Sequence, residues 1–250
     1  MKIIKYIHRL LLLIRPLCIV LVFSVVFSSF CLYGANLVGS TDESERSEAV
    51  SAEIQNKTVL IDAGHGGEDG GAVGINGVLE KELNLLVSEK LYTLLTFAGY
   101  KTIMTRTEDR MLYDKNDNFK GRKKILDLAE RLKIISQSSP TLFVSIHMNS
   151  FPDPQYEGLT VYYSPNTQQS RSAAECIMSK MRDSLQPHNT REIKEASSNI
   201  FLLNRATCPA VLVECGFISN RSECEQLCND EYRKRLTLVL YSSCADFIES

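Results

Sequence analysis

The chain has 250 residues, of which 44% are hydrophobic and 23% charged. These are the proportions of an ordinary globular protein with one large domain or two small ones. They exclude a mostly disordered chain, a collagen-like fibre and a multi-span membrane protein. The net charge of −2 hides an asymmetry. Residues 1–36 carry four basic side chains (Lys2, Lys5, Arg9, Arg15) and no acid, so 37–250 holds 24 basic against 30 acidic residues, a net of −6. A body of that sign repels polyanions, and no nucleic-acid partner is expected.

Lys2, Lys5 and Arg9 precede an apolar run over 17–33 with IVLVFSVVF at its centre. A basic start followed by such a run predicts a signal peptide or membrane signal anchor over 1–35, at the short limit for spanning a bilayer. Pro16 and the lack of polar spacing argue against an amphipathic core helix. LYGAN is a weak cleavage site, and Phe30 is too bulky to precede a lipid-modified Cys31. Positive charge ahead of the run predicts a cytoplasmic N-terminus and an exported body. Residues 36–56, rich in Ser, Glu and Asp, read as a flexible linker. Residues 57–250 then form one domain.

Within that domain the apolar run 57–62 predicts a strand ending in the Gly-rich turn GHGGEDGG. Helical periodicity over 80–98 aligns Leu83, Val87, Leu91 and Leu95, and Gly99 stops the helix. A strand is expected at 101–105, a polar surface loop at 106–119 and a helix at 121–137. The uninterrupted apolar run 141–147 reads as a buried central parallel strand. Strands are expected at 158–164, 200–203 and 209–217, with helices at 168–185, 221–228 and 230–248. Alternating strands and helices predict a single α/β domain, a mostly parallel twisted sheet flanked by helices on both faces. The six body cysteines contain no C-x-x-C pair and read mainly as buried thiols.

Three of these strands end in ionisable residues. His65 follows the first, His147 ends the central one, and Glu214 sits near the end of 209–217. Ligands of open α/β sheets bind at the carboxyl edge of the strands. One histidine there is commonly a core or loop residue; two, with acids beside them, leave a structural role and a metal or catalytic site both open. A catalytic zinc takes three N or O ligands and keeps one position for water, and Glu80, across a loop of six glycines from His65, supplies the candidate third ligand. Glu80 also reads as a complement to its helix dipole. Glu214 lies in an apolar strand, as a proton-transferring carboxylate or half of a structural salt bridge.

The stretches DAGHGGEDGGAVGINGVLEKELNL, SIHMNS and VLVECGFISN, in that order, resemble the zinc-dependent N-acetylmuramoyl-L-alanine amidases of the amidase-3 type. The resemblance covers about 57–248. It implies a zinc exopeptidase-like fold, Zn2+ held by His65, Glu80 and His147, and Glu214 as the catalytic carboxylate. It implies cleavage of the amide between the lactyl group of N-acetylmuramic acid and the L-alanine of the peptidoglycan stem. The short segment between His147 and Glu214, the lack of a repeat-rich wall-binding module and GRKKILDLAERLKIIS are similar to the spore-cortex subfamily, whose members prepare muramic-δ-lactam for germination enzymes. The missing module suggests an accessory protein for targeting or activation. Alternatives are a vegetative wall-remodelling amidase, a zinc peptidase, or a non-catalytic wall-binding protein on the same fold.

Asp62 and Asn149 flank the histidines as possible orienting partners, with a purely structural role the alternative. Arg106 and Arg131 are candidates for substrate carboxylates, although a surface position is the commoner case. Strand alternation turns Cys215 away from Glu214 into the core. His188 lies in a loop and is not expected to be a ligand.

Overall fold

The structure, a computed structural model, describes residues 56–113 and 121–250. The expected export segment, the linker up to residue 55 and part of the 106–119 loop lie outside the described residues. No helix among the described residues is long and apolar enough to cross a membrane.

The elements run β1 (Thr58–Ala63), α1 (Glu80–Phe97), β2 (Lys101–Met104), α2 (Lys123–Ser138), β3 (Leu142–Asn149), β4 (Thr160–Tyr163), α3 (Gln168–Ser184), β5 (Lys194–Glu195), β6 (Ala210–Phe217), α4 (Arg221–Cys228) and α5 (Asp230–Glu249). The six strands form one sheet in the order β2-β1-β3-β6-β4-β5. Every pairing is parallel except that of β4 with β6. The domain is therefore the expected α/β type with a mixed, mostly parallel sheet.

Alternation along the strands sorts side chains between two layers. Val59, Ile61, Val144, Ile146, Val211, Val213 and Cys215 face a core shared with α1, α3, α4 and α5. Leu60, Phe143 and Ala210 face a smaller core with Ile135 of α2 and the coil around Leu202 and Leu203. Each fully buried aliphatic side chain contributes roughly 1.5–3 kcal/mol. Three helix starts are capped by side chains: Thr167 accepts from Ser170 N, Asn220 from Glu223 N, and Asn229 from Glu231 N. Each such cap is worth about 1 kcal/mol.

One expected strand is corrected. Residues 200–203 form turns, with Ile200 N bonded to Ser197 O and Ala206 N to Leu202 O. The edge strand β5 lies earlier and is exposed. Four consecutive apolar residues satisfy a buried turn as well as a strand, and periodicity does not separate the two. The described cysteines are free, and four of the six are buried.

From β1 the chain moves outward to β2, then returns to place β3 on the other side of β1. The crevice above β1 and β3 is thus the point where the direction of sheet growth reverses, the usual ligand position in such folds.

Candidate metal centre and catalytic cleft

His65, Glu80 and His147 converge in this crevice. His65 leaves β1 in the left-handed region, with φ 61°, a conformation rare for a residue with a Cβ. His147 comes from the end of β3, and Glu80 opens α1. Glu80 Oε1 lies 3.0 Å from His147 Nδ1 and 3.3 Å from His65 Nε2. One ligand atom from each residue falls within 4.8 Å of the others. Two imidazoles and one carboxylate are a donor set suited to zinc. The fit is close enough to demand glycine twice. A Cβ on Gly64 would lie 2.3 Å from the His147 ring, and one on Gly71 would lie 2.5 Å from Glu80 Oε2.

The carboxylate is held at several points. Glu80 Oε2 accepts from Ala72 N, and Oε1 accepts from Met148 N and Asn84 Nδ2. Asn84, one turn further along α1, also donates to Gly64 O at 3.1 Å. Burial tends to raise the Glu80 pKa, but the two imidazoles outweigh it and hold the carboxyl far below the usual range. Asp69, absent from the sequence expectations, lies 2.9 Å from His65 Nδ1 through its Oδ2. The signal available was its position four residues after a histidine in a tight Gly-rich turn. Burial disfavours charge on His65, yet Glu80 and Asp69 together raise its pKa.

Glu214 approaches from the neighbouring strand, in register with His147. It is half-buried, and its Oε2 has no hydrogen-bond partner among the described residues. Burial pushes its carboxyl up to about 7; His147 and His65 pull it down and Glu80 pushes it up. Glu214, His65 and His147 line one end of a cleft of about 440 Å³ that continues past Tyr162, Leu212 and Phe201. Cys215 points into the opposite core and is fully buried, as alternation requires.

The arginines differ from expectation. Arg106 and Arg131 are 1% and 2% exposed, so neither is a surface residue. Arg106 donates to the carbonyls of Ala63, Gly64, Lys81 and Glu108. Arg131 donates to Asp62, Asp127 and the carbonyls of Ala63 and His65. Their guanidinium nitrogens are spent holding the end of β1 and are not free to grip a substrate carboxylate. Asp62 is buried at the end of β1 and has no hydrogen bond to either histidine among the described residues; it accepts from Arg131, Thr105 Oγ1 and Ser145 Oγ. Burial acts to raise its pKa, but Arg131 and the two hydroxyls hold it at about 2. Asn149 sits beyond a β-bulge, where its side chain accepts from Ser150 N, and it is not brought into the cluster. His188 is exposed and distant in the fold from these ligands.

The chain belongs to the N-acetylmuramoyl-L-alanine amidase family, whose profile matches residues 59–244. It is a peptidoglycan amidase. The germination-specific N-acetylmuramoyl-L-alanine amidase of Bacillus subtilis (strain 168) is 34% identical over 191 residues, 76% of this chain and 79% of that protein. The solved structure of the CwlD amidase from Clostridioides difficile, in complex with the GerS lipoprotein, matches at TM-score 0.74 and 35% identity, over 78% of this chain and 99% of that one. The amidase AmiC2 of Nostoc punctiforme matches at TM-score 0.66 and 27% identity, over 78% of this chain and 98% of that one.

Proposed function

We propose that this chain is an exported, zinc-dependent amidase that frees stem peptides from N-acetylmuramic acid in the spore cortex, ahead of muramic-δ-lactam formation. The observation carrying the zinc reading is one carboxylate oxygen, Glu80 Oε1, held between two imidazole nitrogens at 3.0 and 3.3 Å. His65, Glu80 and His147 would hold the zinc. When bound, zinc polarises the amide carbonyl and acidifies water.

The chain's own residues supply the rest. Glu214 faces the ligand set from β6 with an unpartnered oxygen. It accepts a proton from the attacking water and returns it to the departing alanine nitrogen. Burial raises its carboxyl above the ordinary range, which strengthens it as a proton acceptor. The 440 Å³ cleft beside it accommodates the stem peptide. Asp69 Oδ2, 2.9 Å from His65 Nδ1, would steady the ring for a metal.

The cortex assignment draws on the germination-specific relative. Residues 1–35 are the export segment, 36–56 the linker and 57–250 the catalytic domain; relatives named as cell wall amidases support extracytoplasmic action. A neighbour solved together with a lipoprotein supports an accessory protein for this chain too. Mass spectrometry of digested peptidoglycan tests the reaction: free peptides beginning with L-alanine, beside peptide-free glycan, are expected, whereas shortened stems would indicate a peptidase. Spores of a deletion strain should lack δ-lactam; unchanged δ-lactam would remove the cortex role.

A further inference from the structure

A second groove, of about 950 Å³, opens on the other side of the catalytic edge. β4 runs antiparallel to β6 with Thr160 opposite Glu214, so the loop leading into β4 starts at the end of the sheet where Glu214 sits. Glu223 of α4 ties this corner together, its carboxylate accepting from Gly158 N at 3.0 Å and Phe217 N at 2.7 Å. The groove runs from that corner between the loop and helices α4 and α5.

Its lining differs in kind from the first cleft. Tyr156, 40% exposed, packs edge-on against Phe151, 46% exposed, with ring centroids 4.5 Å apart. The Arg191 guanidinium lies 5.5 Å from the Tyr156 centroid and 4.5 Å from that of Phe217, which braces the aromatic group. Thr190, Gln226 and Arg235 also line the groove, and their side chains have no hydrogen-bond partner among the described residues. Arg191 and Arg235 are balanced by Glu157 and Glu223. A ring platform beside free amide, hydroxyl and guanidinium groups, without net charge, suits an uncharged ligand rich in hydroxyls and amides.

The scissile amide joins a sugar to a peptide, so a substrate lying over Glu214 leaves it in two directions. The cleft on the α2 face takes one arm. We propose that the groove beside Tyr156 binds the other, the N-acetylated sugar backbone of the glycan strand. This inference rests on the amidase reading above and adds the requirement for polymer over single sugars.

Binding and turnover test it separately. The full-length chain is titrated calorimetrically with peptide-free glycan strands of four or more sugars, as wild type, Gln226→Ala and Tyr156→Ala. Gln226 is exposed on α4, so its truncation leaves packing intact. Each substitution should raise the Kd about tenfold, the loss expected for one hydrogen-bonding or stacking contact. The ratio of kcat/KM on polymer to kcat/KM on a single-sugar muramyl peptide should fall by a similar factor. Strands that do not bind the wild type, or that bind the variants equally well, overturn the proposal. So does a protein partner lost by Gln226→Ala while glycan binding persists. Cleavage of both substrates with no preference for polymer overturns the proposal and leaves the amidase reading intact, whereas cleavage of neither removes the amidase reading and this inference with it.

Discussion

His147 and Glu214 lie directly opposite each other on adjacent parallel strands, the last aligned pair before β3 bulges. One residue belongs to the candidate ligand set and the other is the proposed proton-transfer carboxylate. Their separation is therefore set by sheet register, which resists thermal motion better than a loop.

Glu214→Gln tests that division of labour. The amide cannot take up a proton, so kcat should fall about 10²–10⁴-fold, while zinc content by atomic absorption stays at the wild-type value. Normal turnover at full zinc occupancy would remove the role. In the wild type kcat/KM should fall as pH drops, because the carboxylate is the form that accepts the proton. Burial pushes the carboxyl up to about 7, and a neighbouring dication lowers the midpoint from there.

Asp62 makes acid stability specific. Its folded carboxyl sits at about 2, against a usual value of 3.8. A depressed carboxyl stabilises the fold above the unfolded value, and that contribution is lost as pH falls through 3.8 towards 2. The contribution is roughly 2 kcal/mol. Urea unfolding at pH 5 and pH 3 should show about half of this loss in the wild type, roughly 1 kcal/mol beyond that from other acids. Asp62→Asn should abolish its share of the difference while destabilising the protein by about 3–5 kcal/mol at pH 5, since Arg131 loses a buried counter-ion.

Gly64→Ala isolates the ligand geometry. The added methyl would fall 2.3 Å from the His147 ring, so the imidazole must move. Zinc affinity, measured by competition with a chromophoric chelator, should drop at least tenfold, with the far-ultraviolet circular dichroism of the wild type retained. Unchanged affinity would show that His147 is not held where the structure places it.

Asp69→Asn asks whether the second nitrogen of His65 matters. Losing the carboxylate 2.9 Å from Nδ1 should weaken zinc binding about 10–100-fold. Apo-protein stability should change far less, because Asp69 is part-exposed and the two effects separate in thermal melts with and without zinc.

Much of this protein was legible from residue order. Period-2 and period-3.6 patterning placed nearly every strand and helix, because burial on a pleated or helical surface imposes those spacings on apolar residues. The same alternation put Cys215 in the core and Glu214 on the other face. His65, Glu80, His147 and Glu214 were marked by standing where strands end or a helix begins. Only the tertiary structure decided the rest. Whether Ile200–Leu203 paired or turned depended on a neighbouring core, which four apolar residues do not encode. Arg106 and Arg131 looked like surface cations, since burying a guanidinium is costly unless carbonyls and carboxylates distant in sequence meet it. Asp69 gained its meaning from a left-handed His65 that turns one ring nitrogen towards Glu80 and the other towards Asp69. These are long-range electrostatic and steric conditions, and they exist only once β1, α1, α2 and β3 are packed together.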